Sequence, residues 1–155
     1  MRSNALNKNS QEYGAVAEGY VLVPDAATYS VDADDSGKVH IVPDLTADCT
    51  ITLPTEKLGL NYEFWYGGTA ADAQDWIIKT SGNSNYFVGG CVGHDTDAGG
   101  DDTYVVDADG NSNSQLTVYT PIAGTWVKVV CNGLLWYING SCVSATDAAH
   151  AFADQ

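Results

Sequence analysis

The chain has 155 residues, enough for one domain with a core of its own, and its 20 acidic against 6 basic side chains give a formal net charge of −14. Nucleic acids and anionic membranes both demand a basic face, so neither is an expected partner. No apolar run reaches the roughly 18 residues needed to cross a bilayer, and the first 19 residues lack the apolar centre of a secretory signal.

Residues 1–19 are polar, rich in Asn and without a period of 2 or 3.6, so they read as an extended arm that orders against a partner or as a frayed terminus. Two of the six basic side chains, Arg2 and Lys8, fall in this arm. From Tyr20 to Gln155 the chain reads as one β domain, with strands predicted at 20–23, 28–31, 39–42, 49–53, 62–65, 76–79, 86–88, 103–106, 115–119, 126–131, 134–138 and 142–144. Gly, Asp, Asn or Pro punctuates nearly every gap, and 16 glycines suit tight turns better than helices. The helical candidates are 69–75 and 147–152, each two turns at most. Many short strands in a chain of this size predict an all-β, jelly-roll-like sandwich.

In the segment TITLPTEKLGLNYEFWYGG, residues 50–68, Ile51 and Leu53 alternate with Thr50 and Thr52, and Pro54 ends the ladder because it has no N–H to donate. Tyr62, Phe64 and Tyr66 then share one face. Residues 115–144 read as a meander with Leu116, Val118, Val127, Val129, Cys131, Leu134, Trp136 and Ile138 on a core face, and with Asn132-Gly133 and Asn139-Gly140 as hairpin turns. Its other face, with Trp126, Lys128, Leu135 and Tyr137, is not cleanly polar, which points to a second sheet or to a subunit interface.

Of the residues that could carry chemistry, Cys91, His94 and Asp95 lie within one Gly-rich stretch, whereas nucleophile, base and orienting acid normally arrive from separate elements. A strand end followed by a turn is the simpler reading. Cys49, Cys91, Cys131 and Cys142 have no Cys-x-x-Cys spacing, and the two predicted hairpins place Cys131 and Cys142 at opposite ends of one strand, so all four read as buried free thiols. The acidic loops 95–102 and 107–113 offer alternate oxygens without the EF-hand pattern, since Ser112 stands where its glycine belongs and Val118 where its glutamate belongs. Glu63, among Tyr62, Phe64 and Trp65, is the one acid whose setting invites a raised pKa, but alternation turns it outward. His40, His94 and His150 show no metal spacing. Trp65, Trp126 and Tyr137 alternate away from the core and are candidates either for stacking on sugar rings or for subunit contacts.

Asp35-Ser36-Gly37-Lys38 before an apolar strand, Ile51-Thr52-Leu53-Pro54, Gly59-Leu60-Asn61-Tyr62-Glu63-Phe64 and Trp136-Tyr137-Ile138-Asn139-Gly140 together resemble a pattern in small structural proteins of tailed-phage virions. The resemblance spans roughly residues 20–145 and implies a capsid decoration (cement) protein on the outer surface of the virion, with no catalytic residue and no cofactor. It implies the major capsid protein and further copies of the same chain, as a homotrimer, for partners. On that reading Arg2, Lys8 and Tyr13 of the arm contact the shell, and Trp65, Trp126 and Tyr137 contact neighbouring subunits. A receptor- or carbohydrate-binding module of a head or tail fibre is the alternative.

Overall fold

A computed structural model describes residues 19–97, 102–146 and 148–155, so the arm residues Arg2, Lys8 and Tyr13 lie outside the described residues. The fold is an all-β sandwich. β1 (Tyr20–Leu22), β3 (Val39–Val42), β5 (Asn61–Tyr66), β7 (Phe87–Asp95), β8 (Thr103–Asp109), β10 (Trp126–Cys131) and β11 (Trp136–Ser144) form a seven-stranded sheet in the order β1-β3-β5-β10-β11-β7-β8. β2 (Thr28–Ser30), β4 (Cys49–Thr52), β6 (Trp76–Lys79), β9 (Gln115–Val118) and β12 (His150–Ala153) form a five-stranded sheet in the order β12-β9-β6-β4-β2.

Up to β6 every strand enters the sheet opposite to its predecessor. β1, β3 and β5 are therefore parallel neighbours in one layer, and β2, β4 and β6 in the other. This coiling has no counterpart in a sequence repeat. Five of the ten strand pairings among the described residues are parallel, unlike the antiparallel Greek keys from which a jelly roll is built. The expected sandwich therefore holds as two packed sheets with mixed pairing.

Alternate residues of both layers point inward, and Tyr62, Phe64, Trp76, Phe87 and Trp136 are fully buried between them with Ile51, Ile78, Leu116 and Val118. Each such side chain contributes roughly 1.5–3 kcal/mol by burial. At one end of the core Glu56 ties three segments together. Its carboxylate accepts the Trp136 indole N–H at 2.8 Å, the Ser81 hydroxyl at 2.8 Å and the Asn85 amide. At the other end coiling stacks the loops, and aspartates join them. Asp25 accepts the N–H of Thr46, Asp72 that of Leu45, Asp48 that of Asp75, and Asp75 that of Thr120, at 2.9–3.0 Å.

Several expectations are corrected. β9 lies in the five-stranded sheet, so Leu116 and Val118 face Val127 and Val129 across the core instead of continuing a meander with them. Asn139-Gly140 is not a turn, because β11 runs straight through it. A Cβ at Gly140 would stand 2.6 Å from the Trp126 carbonyl, so the glycine serves a close strand approach. Asn132-Gly133 does turn the chain, but within a four-residue loop in which Gly133 has φ +96° and Cys131 pairs with Trp136. Leu134 consequently sits on that loop, 78% exposed, and not in the core. Neither helical candidate is helical in its described part: 69–75 is loop and His150–Ala153 is strand.

His40 is fully buried among the rings of Tyr29, Tyr62 and Phe64, and neither of its nitrogens has a hydrogen-bond partner. Burial pushes the imidazole below its ordinary value, and the charge of Asp35 with the backbone at Lys38 and Glu63 offsets only part of this. His150 is buried and lowered in the same way. Since the unfolded chain takes up the proton first, stability is complete above about pH 6.5 and falls on acidification from there toward the lowered folded value. Calorimetry between about pH 7.5 and 5.5 should show Tm dropping in the wild type and dropping less in His40→Leu, with His150 carrying the remainder.

Candidate functional site

Strand alternation on the seven-stranded sheet leaves an outer face whose rows are set by register. One row crosses every strand of the sheet: Leu22, Ile41, Trp65, Trp126, Ser141, Val92 and Val105, each the direct partner of the next. Only Ser141 interrupts its apolar character. Leu22 (79%), Val105 (62%) and Trp65 (46%) are well exposed. Beside it runs a largely polar row of Tyr20, Val39, Glu63, Lys128, Asn139, Gly90 and Asp107. Beyond that, Val130, Tyr137 and Val88 form a shorter apolar row, with Tyr137 52% exposed.

At the centre of this face Glu63 is fully engaged. Lys128 Nζ lies 3.0 Å from Glu63 Oε1, and the Trp65 indole donates to Glu63 Oε2 at 3.1 Å, which fixes the edge of the indole over the polar row. The Lys128 ammonium first, and the indole N–H with it, hold this carboxyl below the usual carboxylate range. A glycosidase acid needs the opposite shift, so the expected raising of the Glu63 pKa by its aromatic setting is corrected, while its outward orientation is as expected. Trp65, Trp126 and Tyr137 are brought to one face, with Trp65 and Trp126 directly opposite each other on β5 and β10.

Cys91, His94 and Asp95 do not assemble. They lie in the last five residues of β7, which stays strand up to Asp95 where a turn was expected within the stretch, and alternation buries Cys91 and Asp95 while His94 faces outward, 3.4 Å from the Thr103 hydroxyl. All four cysteines are buried and free. Cys91 neighbours Cys142 on the adjacent strand, and the closeness of the Cys91 thiol, together with burial, pushes the Cys142 thiol far up. In the loop 107–113 Asp109 caps the turn itself. It accepts the N–H groups of Asn111 and Ser112 and the Ser112 hydroxyl, which hold its carboxyl below the ordinary value. Residues 98–101 of the other acidic loop lie outside the described residues, and among the described residues no group of three or more His, Cys, Asp or Glu is placed to hold a metal ion.

Sequence reasoning found the three aromatics by period alone but missed Leu22, Ile41, Val92 and Val105, which join them only through long-range pairing. No protein-family model matches the chain, and no curated protein is significantly similar to it. The outer face has to be interpreted from its own chemistry.

The Glu63–Lys128 pair is solvent-exposed, and such pairs contribute little stability. Lys128→Ala should raise the Glu63 pKa toward the ordinary carboxylate value, read by NMR titration, while urea unfolding shifts by less than about 1 kcal/mol.

Proposed function

We propose that this chain is a structural virion protein that decorates a phage capsid, docking on neighbouring capsid subunits as a homo-oligomer, most simply a trimer. The observation that carries this reading is the apolar row that spans all seven strands on the outer face of the seven-stranded sheet. An aromatic and aliphatic band beside a polar row has the make-up of an interface, with Trp65 and Trp126 as anchors in the middle. The resemblance in the Asp35–Lys38, Ile51–Pro54, Gly59–Phe64 and Trp136–Gly140 segments supports the same class. A protein that binds only the assembled shell stabilises that shell by mass action, so the role needs no chemistry. Trp65, Trp126 and Tyr137 are the subunit contacts on this reading, and Arg2, Lys8 and Tyr13 the contacts of the arm with the shell.

A second reading, a receptor- or carbohydrate-binding module of a head or tail fibre, is favoured by one observation. Trp65 and Trp126 stand side by side next to Glu63, Lys128 and Asn139, which pairs apolar ring surface with polar partners.

Quantitative mass spectrometry of purified virions should find this chain in near-stoichiometric ratio to the major capsid protein. A few copies per particle would move it to a fibre or tail, and its absence from virions would end the virion reading. With purified shells, Trp65→Ser should weaken association while Tm stays within a few degrees of wild type, because an exposed side chain adds little to the fold. Deletion of residues 1–19 should abolish capsid binding and leave the sandwich folded, as circular dichroism and cosedimentation would show.

A further inference from the structure

At the end of the sandwich where the loops stack, a cleft of about 530 Å³ is lined by Asp75, Tyr119, Thr120, Thr146, Ala148 and Ala151. None of these residues belongs to the outer-face rows, and the cleft's size is within the range of small-molecule sites.

Its floor is strained. Thr120 has φ +36°, and among the described residues no other non-glycine has a positive φ. A β-branched residue is poorly suited to that conformation, and Gly or Asn would adopt it more easily. Polar contacts converging on the cleft hold it there. Asp75 Oδ1 accepts the Thr120 N–H at 3.0 Å, and the Thr120 hydroxyl lies 2.9 Å from the hydroxyl of Ser144. The buried Ser144 hydroxyl lies in turn 2.9 Å from that of Thr146, and those of Thr146 and Thr120 are 3.4 Å apart. Three rotatable hydroxyls in mutual contact can exchange donor and acceptor roles to suit a ligand. Strain kept at such a point is a mark of function more than of folding.

The lining selects a ligand class. Among the described residues it contains no Lys, Arg or His to hold a phosphate, sulfate or carboxylate. Among the described residues it presents one carboxylate, too few for a metal cage, and its hydroxyls are too polar for a lipid chain. Asp75 has one oxygen engaged by Thr120, and among the described residues nothing donates to the other. Burial, with the charges of Asp48 and Asp72, raises its pKa, as expected of a carboxylate short of donors. Tyr119, Ala148 and Ala151 add apolar surface on the remaining sides.

We propose that this cleft binds a neutral saccharide: Asp75 accepts hydrogen bonds from ring hydroxyls, Thr120 and Thr146 exchange hydrogen bonds with them, and the C–H face of the sugar rests on Tyr119. The site is independent of the decoration role and of any sugar stacking at Trp65 and Trp126.

The test uses the full-length chain on an array of neutral hexoses, N-acetylhexosamines and their oligomers, followed by calorimetric titration with the best binder. Asp75→Asn keeps an acceptor for the Thr120 N–H but loses the charge, and Thr120→Gly removes a hydroxyl together with the backbone strain. Each should weaken binding by about tenfold or more, while Thr120→Gly holds or raises Tm and Trp65→Ser leaves affinity unchanged. The proposal is overturned if no neutral saccharide binds, if affinity survives both cleft variants, or if Trp65→Ser and not Thr120→Gly abolishes it. That last result would transfer sugar binding to the outer face.

Discussion

The rest of the molecule depends on one constraint: through its first six strands the chain never places two consecutive strands in the same sheet. Each strand therefore pairs in parallel with the strand two places away, and each connection must cross the thickness of the core. Both layers are built at once and close on the same rings, so Trp76 from one sheet and Tyr62, Phe64 and Trp136 from the other have no solvent-facing alternative. Parallel order also gathers the crossings at the same ends. There their N–H groups need acceptors, and burial without them would be costly.

That requirement changes the meaning of the acidity. Asp25, Asp48, Asp72, Asp75 and Asp109 each accept a backbone N–H from a turn or from a neighbouring loop. Aspartate suits this task because its short side chain reaches the backbone nearby and carries no donor that would itself need a partner. Part of the net charge of −14 is thus a by-product of loop fastening in a fold rich in connections, and it does not by itself indicate a cationic ligand.

How much was legible in the sequence follows from what a two-residue period can encode. The inward set Tyr62, Phe64 and Tyr66, the outward set Trp65, Trp126 and Tyr137, and the outward Glu63 all follow from alternation, and the structure places them so. Period says which way a side chain points but not which sheet its strand joins, and so Leu116 and Val118 were assigned the wrong neighbours. Local turn grammar misled for a related reason. Asn139-Gly140 has the composition of a hairpin, yet its glycine is required by the backbone of β10 passing close by, a fact carried by residues some 14 positions upstream. The Gly-rich run at 89–93 likewise reads as a turn and is strand. The strained Thr120 has no sequence signal, because threonine is not a residue expected at positive φ.

The coil also decides where the fold yields to force. Any pull on the chain ahead of Tyr20 arrives at β1, which is held by a three-residue ladder to β3 at the edge of its sheet. The next strand, β2, is another three-residue edge strand, in the opposite layer. Tension would be relieved by peeling these short ladders one at a time, with the rings around Trp76 and Trp136 still enclosed by the longer strands behind them. A tether attached at that corner has a mechanical fuse built into its base: it lengthens before the body to which it is joined unfolds.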